Sequence, residues 1–156
     1  MIGHLQGNKA GRAVECFDLI HGLDGVDLAE TLARRARAAG RTMPVLVEVN
    51  VSGEGSKFGV SPAGLPALLE RVASIEGIEP RGLMTVGAPV TRPEEARPGF
   101  AALRALRDQG ERRLGRPLPE LSMGMSGDFE VAVEEGATLV RVGTALFGER
   151  APRTEN

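Results

Sequence analysis

The sequence predicts an α/β fold in which parallel strands form an incomplete (β/α) barrel. Apolar, strand-like segments alternate with amphipathic helical segments along the 156 residues, which is typical of repeated βα units. Serine, glycine and threonine follow the last two of these strands, where barrels commonly bind phosphate. A doubly wound sheet is disfavoured because no glycine-rich fingerprint follows an early strand. About five usable strands, in a chain shorter than the roughly 200–250 residues of a complete barrel, predict that the barrel is incomplete.

The first strand and helix are predicted from the segment that ends at Gly40. Residues 17–20 suit a short strand, and Asp27 with Glu30 resembles a capping box at the start of the following helix. Gly40 is expected to end this helix. Four apolar residues on one helical face are predicted to be buried: Leu28, Leu32, Ala33 and Ala36.

The middle of the chain continues the alternation. Residues 44–50 form a nearly continuous apolar run with β-branched side chains, which predicts a buried parallel strand. Ser61 as cap and Pro62 in the first turn predict the start of the next helix. The buried face of that helix is expected to contain Leu65, Leu68, Leu69 and Val72. Residues 81–86 are predicted to form the following strand.

The last part of the chain supplies the remaining elements. A proline-containing loop precedes a helix whose apolar positions are Phe100, Leu103 and Leu106. Residues 121–125 and 139–142 are predicted strands, with a helix over residues 128–135 between them. Because no repeat, low-complexity tract or linker interrupts this pattern, residues 1–156 are expected to form one domain.

The composition argues against several classes of function. A net charge of −2 gives no electrostatic footprint for nucleic acid. No run of about 18 apolar residues predicts a membrane span, and the first residues do not resemble a signal peptide. Cys16 is the only cysteine, which argues against a disulfide framework and predicts a reducing, cytoplasmic location. Cys16 itself is expected to be a small core residue.

Polar residues after the last two predicted strands form the candidate binding site. Parallel strands end at the same edge of a sheet, so Ser122 and Ser126 are expected to lie near Gly143 and Thr144. Free backbone N–H groups at Gly143 and Thr144 precede a short helical turn and suit an anion, and the hydroxyl groups add donors. Arg141 lies two residues before Gly143, on the same side of the strand, and is expected to point into the site.

A structural role is the alternative for part of this segment. Ser126 and Gly127 also suit the start of a helix, with Asp128 as an acidic residue of its first turn. His4 is expected at the barrel rim and His21 on the surface or in a loop. Neither has a second ligand at zinc spacing, so no metal site is predicted.

Five segments in order resemble the motifs of the pyridoxal phosphate homeostasis protein family. These segments are residues 2–9, 47–59, 82–85, 121–130 and 140–148. The resemblance implies a (β/α) barrel similar to the barrel domain of alanine racemase. It also implies a protein that binds pyridoxal 5′-phosphate through a Schiff base and buffers the cofactor or delivers it to client enzymes. No catalytic activity is established for the family, whose members are expected to be monomeric.

The resemblance assigns roles to the candidate site. Arg141 would face the pyridine nitrogen, and the phosphate would be surrounded by Ser122, Ser126, Gly143 and Thr144. A permanent positive charge at Arg141 disfavours the pyridinium form and weakens the ring as an electron sink. This arrangement suits a carrier better than a transaminase.

Other positions depart from the family pattern. The resemblance places the cofactor lysine on a first strand that precedes the motif beginning at Ile2, so the first two strands and this lysine are expected to be missing. Gly7 stands where the family usually has serine or threonine. Neither Lys9 nor Lys57 aligns with the cofactor lysine, and Lys57 is expected to be a solvated, protonated side chain on the rim. We therefore expect weak, non-covalent binding of the cofactor by this chain.

Two alternatives to a non-catalytic carrier remain open. A racemase-like pyridoxal phosphate enzyme needs a lysine on the cofactor and an opposing tyrosine, and this sequence contains no tyrosine. A remnant that only binds an anion, or that needs a partner to supply the missing strands, is the other alternative. An open barrel exposes strand edges and apolar surface, so we expect self-association or a complementing chain.

Overall fold

Five parallel strands form a single sheet in a computed structural model that describes residues 1–54 and 57–148. The strands are β1 (Ile20–Leu23), β2 (Met43–Glu48), β3 (Ile78–Met84), β4 (Glu120–Met125) and β5 (Leu139–Arg141). They are hydrogen-bonded in the order β1-β2-β3-β4-β5, and every neighbouring pair is parallel. The predicted α/β class and the incomplete barrel are confirmed.

The sheet is curved like half of a barrel, as a contact between two separated strands indicates. Neighbouring strands lie about 4.8 Å apart, so a flat sheet would separate β1 from β4 by about 14 Å. Nevertheless, Nδ1 of His21 in β1 lies 2.9 Å from Oγ of Ser122 in β4. The curvature therefore brings side chains on the concave face of distant strands into contact.

Helices connect the strands and cover the convex face of the sheet. They are α1 (Ala10–Cys16), α2 (Val26–Ala38), α3 (Leu65–Ala73), α4 (Arg97–Leu114), α5 (Phe129–Glu134) and α6 (Thr144–Phe147). Short 3₁₀ turns at Gly7–Lys9 and Pro93–Ala96 lead into α1 and α4. Over residues 1–54 and 57–148, no helix is long and apolar enough to cross a membrane.

The main hydrophobic core lies between the sheet and the helices. Along β2, Val45 and Val47 belong to this core, whereas the alternate residues Leu46 and Glu48 are buried on the concave side. The predicted stripe on α2 is confirmed, because all of its members are buried: Leu28, Leu32, Ala33 and Ala36. Burying one leucine side chain of this kind stabilises the fold by about 1.5–3 kcal/mol.

The prediction of a strand over residues 17–20 was wrong in its bounds. Helix α1 continues to Cys16 and ends at Phe17, which is 40% exposed, and the strand begins only at Ile20. The strand starts at Ile20 because this residue is the first apolar side chain after α1 that is fully buried. The prediction that Cys16 is a core residue was also wrong, because it is exposed on the last turn of α1.

Two predicted helix starts were also wrong. Helix α2 begins at Val26, so Asp27 lies within its first turn and Gly25 precedes the helix with no side-chain cap. The carboxylate of Glu30 accepts a hydrogen bond from Arg71 of α3 at 2.6 Å. Helix α3 begins at Leu65, since Ser61 forms an earlier turn in which its hydroxyl oxygen accepts a hydrogen bond from the Gly64 amide at 3.2 Å. The side chains that were predicted to cap these helices, Glu30 and Ser61, thus make other hydrogen bonds.

Gly124 allows α5 to pack closely against β4. Its φ of +89° lies in the left-handed region, and an added Cβ would lie 2.5 Å from Cβ of Ala132 and 3.1 Å from Cα of Phe129. A larger residue would push α5 away from the sheet. Because the turn between β4 and α5 carries Ser126, this close packing fixes the position of the candidate site.

Arg97 ties α5 to the start of α4. Its guanidinium contacts Glu94 at 2.8 Å on the preceding turn, and Glu134 at 2.5 Å and Glu135 at 2.9 Å at the end of α5. Such networks hold elements together better than isolated surface pairs, because one ordered side chain serves several contacts. Arg97 therefore fixes the C-terminal end of α5 to the start of α4.

Candidate functional site

A hydroxyl oxygen in the loop after β4 accepts hydrogen bonds from two backbone amides in the segment after β5. Oγ of Ser126, in the turn after β4, accepts hydrogen bonds from the amide of Gly143 at 3.1 Å and from the amide of Ala145 at 3.2 Å, both after β5. The two loops therefore meet at the carboxyl ends of the last two strands, as the sequence predicted. Donors that converge on one oxygen match the requirements of a phosphate oxygen.

The turn that carries Ser126 is closed by Asp128. Its carboxylate accepts a hydrogen bond from the Met125 amide at 2.6 Å, and its own amide donates to the Met125 carbonyl at 3.1 Å. Asp128 is buried and directly precedes α5. It thus stabilises the turn, whereas the sequence predicted an acidic residue within the first turn of the helix.

Thr144 lies between the two amides that reach Ser126. It is exposed and begins α6, which is only one turn long. The structure therefore brings together three of the predicted site residues, Ser126, Gly143 and Thr144. The amide of Ala145 is an additional member of this group, which we call the rim cluster: Ser126, Gly143, Thr144 and Ala145.

Arg141 points to the concave face of the sheet. Its Nη1 donates to Oγ of Ser122 at 2.8 Å, and its Nη2 donates to the carbonyl oxygen of Thr85 at 2.8 Å. One side chain on β5 is thereby fixed by β4 and by the residue after β3. Burial lowers the pKa of Arg141, while Glu48 and Asp128 act in the opposite direction, and an arginine remains charged under these conditions.

Ser122 lies with Arg141 and not with the rim cluster. It is fully buried, and its hydroxyl also lies 2.9 Å from Nδ1 of His21. The hydroxyl is therefore already engaged by two partners in this structure. A direct contact of Ser122 with phosphate stays a prediction, whereas its contact with Arg141 is a feature of the fold.

The prediction that His21 lies on the surface or in a loop was wrong. His21 is a half-buried residue of β1. Its pKa is lowered to about 4, first by burial, then by the positive N-terminus and by Arg141, with Glu120 acting in the opposite direction. The imidazole is therefore neutral at pH 7, so Nδ1 can accept a hydrogen bond from the Ser122 hydroxyl.

A second group of titratable side chains adjoins the same concave face. Glu48 is buried at the end of β2, and its pKa is raised by burial and by Asp24, while Arg141 and His4 lower it. The His4 ring stacks on Phe58 with centroids 4.2 Å apart, and its Nδ1 lies 3.7 Å from the Asp24 carboxylate. The carboxylate of Glu48 thus balances part of the charge of Arg141.

Lys57 is less exposed than the sequence indicated. Its side chain is 21% exposed, and the ammonium lies 3.1 Å from the carboxylate of Glu54. The prediction of a freely solvated lysine was therefore wrong. Lys9 is exposed in the 3₁₀ turn before α1. Across residues 1–54 and 57–148, histidine, cysteine and acidic residues form no group of three or more that could hold a metal ion.

Sequence reasoning missed the partners of Arg141. Thr85 ends a predicted motif, but the motif gave no reason for its carbonyl to accept a hydrogen bond from Arg141. The contact of His21 with Ser122 joins residues 101 positions apart in the chain. Strand alternation would place His21 on one face of β1, but the correct bounds of β1 are needed before it can be applied.

The fold and this site together define a class of protein. The chain is an open (β/α) barrel in which backbone amides after β5 converge on a hydroxyl group after β4, with a half-buried arginine on the concave face. Barrels of this class place ligands at the carboxyl ends of their strands.

The chain belongs to the alanine racemase N-terminal domain family, which matches residues 1–151. The pyridoxal phosphate homeostasis protein of Aquifex aeolicus is 48% identical over 149 residues, covering 96% of this chain and 65% of that protein. The protein of the same name from Pseudomonas aeruginosa is 42% identical, with coverages of 96% and 63%. The predicted resemblance and the alanine racemase type of barrel are confirmed.

A solved structure of a relative has the same fold. PipY of Synechococcus elongatus with pyridoxal phosphate bound is 39% identical and matches with a TM-score of 0.86, covering 95% of this chain and 69% of PipY. The chain spans 65% and 63% of the two homeostasis proteins. These relatives are therefore longer than the chain.

Proposed function

We propose that this chain binds pyridoxal 5′-phosphate at the rim cluster and that it serves cofactor homeostasis without catalysing a reaction. The observation that carries the proposal is the convergence of the Gly143 and Ala145 amides on Ser126, just beyond the half-buried Arg141. The names of the Aquifex and Pseudomonas relatives and the bound ligand of PipY support it. Client enzymes that receive the cofactor are part of the same proposal, as is a single binding unit over residues 1–156.

The donor chemistry of the site fits the two ends of the cofactor. A phosphate group needs N–H and O–H donors. The rim cluster contains the hydroxyl groups of Ser126 and Thr144 and two amides, which in this structure donate to Oγ of Ser126 and would turn to a phosphate oxygen when the cofactor binds. An unprotonated pyridine nitrogen is an acceptor, and Arg141 can only donate. The two ends of the ligand would therefore meet complementary groups on one short segment, with Arg141 at the end of β5 for the ring and Gly143 to Ala145 for the phosphate.

Arg141 also supports a carrier role over that of a transaminase. When bound, the cofactor supplies an electron-withdrawing ring, whose strength depends on protonation of its nitrogen. A guanidinium that stays charged opposes a proton on that nitrogen. Ser122 and the Thr85 carbonyl hold this guanidinium in place, so the effect is built into the sheet.

Covalent attachment is not part of the proposal for this chain. Its two lysines are Lys9, which is exposed, and Lys57, which is partly buried and whose ammonium is paired with Glu54. We therefore expect weak and reversible binding of the cofactor. Borohydride treatment of the chain with the cofactor, followed by peptide mapping, tests this point, because a pyridoxyl label on either lysine would contradict it.

Calorimetric titration with pyridoxal phosphate tests the binding site itself. Ser126→Asp places a carboxylate where a phosphate oxygen is expected, and the Gly143 and Ala145 amides can still satisfy it, so the fold should be retained. Repulsion between the carboxylate and the phosphate should weaken binding by at least about tenfold. The matched control is Thr42→Asp, which adds the same charge at an exposed residue. Thr42 directly precedes β2 and therefore lies at the amino ends of the strands, away from the rim cluster at their carboxyl ends.

The same titration separates the alternatives. Equal binding by wild type and Ser126→Asp, or no binding by wild type, would refute the proposal. If inorganic phosphate bound as tightly as pyridoxal phosphate, the chain would be an anion-binding remnant. Amino-acid racemisation that depends on added cofactor would instead indicate an enzyme.

A further inference from the structure

We propose that His21 is a positioning residue for the cofactor site: by hydrogen-bonding Ser122, it holds the Arg141 guanidinium in the orientation that faces the ring nitrogen. The inference rests on the proposed function for the identity of the ligand. The hold on Arg141 itself is a property of the chain alone.

Two consecutive hydrogen bonds connect Arg141, Ser122 and His21 across the concave face of the sheet. Nη1 of Arg141 lies 2.8 Å from Oγ of Ser122, and the same oxygen lies 2.9 Å from Nδ1 of His21. A serine hydroxyl has one hydrogen to donate and can accept at its lone pairs. Arginine can only donate, so Oγ accepts from Arg141 and its own hydrogen is free for Nδ1 of a neutral His21. Each group thereby fixes the direction of the next.

The position of His21 in the sheet makes this support rigid. His21 is on β1 and Ser122 on β4, so the contact links strands separated by β2 and β3. Ser122 is fully buried, which leaves its hydroxyl few other partners. Without His21, the hydroxyl hydrogen could rotate towards other acceptors, and Ser122 would hold Arg141 less firmly.

The charges around His21 favour the neutral form that this role needs. The N-terminal ammonium of Met1 and Arg141 face it with positive charge, and Glu120 on β4 is the opposing carboxylate. A protonated imidazole would donate at Nδ1, so the Ser122 hydroxyl could no longer donate to it. The orienting contact is therefore available throughout the neutral range.

A second hydrogen bond, to Thr85, limits how much the loss of His21 should weaken cofactor binding. The carbonyl oxygen of Thr85 accepts a hydrogen bond from Nη2 of Arg141 at 2.8 Å, and this contact does not involve His21. Because only one of the two hydrogen bonds to the guanidinium depends on His21, its loss should weaken binding through the ring by about threefold to tenfold and should not abolish it.

Two variants of His21 separate positioning from general stability. His21→Phe keeps a ring of similar size but removes the hydrogen bond, whereas His21→Asn keeps a polar atom near the position of Nδ1. We expect His21→Phe to bind pyridoxal phosphate about threefold to tenfold more weakly, and His21→Asn to recover most of this loss. Inorganic phosphate, which has no ring, should bind equally to all three proteins. Equal loss of both ligands in His21→Phe would identify a structural role and overturn the inference.

NMR relaxation of the Arg141 side chain tests the inference without a cofactor. In the wild-type chain, Nε of Arg141 should be ordered, and it should become more mobile in His21→Phe but not in His21→Asn. Unchanged order in His21→Phe would overturn the inference even if the cofactor binds. If the wild-type chain does not bind pyridoxal phosphate but Arg141 loosens as expected, the proposed function fails and the role of His21 in holding Arg141 stands.

Discussion

Arg141 and Ser122 lie on neighbouring strands, and Nη1 of the arginine donates to the serine hydroxyl oxygen at 2.8 Å. This contact turns the last strand residue before the rim cluster towards the concave face of the sheet. It joins the two parts of the candidate site, because Arg141 is followed directly by the segment that contains Gly143. The guanidinium and the rim amides are therefore positioned by the same short strand.

Removing the guanidinium should affect the ring of the cofactor but not its phosphate. Arg141→Met should weaken pyridoxal phosphate binding by about tenfold to a hundredfold, because it deletes a charged donor. Inorganic phosphate should bind as before. Calorimetry of both ligands checks this, with Arg112→Met on the exposed surface of α4 as the control for loss of one charge. A loss of both ligands in Arg141→Met would mean that Arg141 supports the rim and not the ring.

The stability of the protein should fall between pH 6.5 and 4 because of His21. The unfolded imidazole binds a proton below its ordinary pKa of 6.5, whereas the folded one does so only near 4. The contribution of His21 to the free energy of unfolding is therefore fully present above pH 6.5 and is lost as the pH falls towards 4. Linkage limits the loss to about 3 kcal/mol, and solvent screening of a half-buried group reduces it to the order of 1 kcal/mol.

Denaturant unfolding at several pH values measures this contribution. The difference in the free energy of unfolding between wild type and His21→Asn should shrink from pH 7 to pH 4.5. Other titrating groups cancel in this difference, because both proteins contain them. A difference that stays constant over this range would show that His21 keeps an ordinary pKa.

Glu48 should affect stability in the opposite direction. Burial and Asp24 raise its pKa, so the ionised carboxylate is less stable in the folded chain than in the unfolded one. Glu48→Gln should therefore stabilise the protein at pH 7, and its advantage should disappear as the pH falls and wild-type Glu48 becomes protonated. Thermal unfolding of both proteins at pH 7 and pH 4 checks this. Destabilisation at pH 7 would mean that the charge of Glu48 is needed to balance Arg141.

Two glycines near the same turn should respond differently to alanine. Gly124→Ala should cost about 2–4 kcal/mol, because it combines a left-handed backbone with a clash against Ala132. Gly127 has open space around an added Cβ and no left-handed φ, so Gly127→Ala is the matched control and should cost less than about 0.5 kcal/mol. Chemical denaturation of both variants checks the pair. Similar costs would contradict the close packing of α5 on β4.

Exposed apolar residues near the β5 edge should promote self-association. Leu146 is 71% exposed, Phe147 87% and Val140 40%, and β1 and β5 are the outer strands of the sheet. Replacing both Leu146 and Phe147 by serine should lower the association seen by sedimentation. A wild-type chain that sediments as a monomer at high concentration would contradict this expectation.

Some of the fold and site could be predicted from local sequence, and some could not. The buried stripe of α2 follows from helical spacing alone, so Leu28 and Leu32 were placed correctly. The meeting of Ser126 with Gly143 follows from parallel strands that end at one edge. The contact of His21 with Ser122 depends on the curvature of the whole sheet, which no local pattern contains. The predicted start of α3 at Ser61 was wrong because the hydroxyl of Ser61 accepts a hydrogen bond in a turn that precedes the helix.

The most direct test of the central claim is an NMR titration of this chain with pyridoxal phosphate. The amide signals of Gly143 and Ala145 and the side-chain Nε signal of Arg141 should shift together and saturate with one dissociation constant. Those of the control region around Thr42 should remain unchanged. Saturable shifts that occur elsewhere, or unchanged rim amides at millimolar cofactor, would contradict the claim that this rim binds the cofactor.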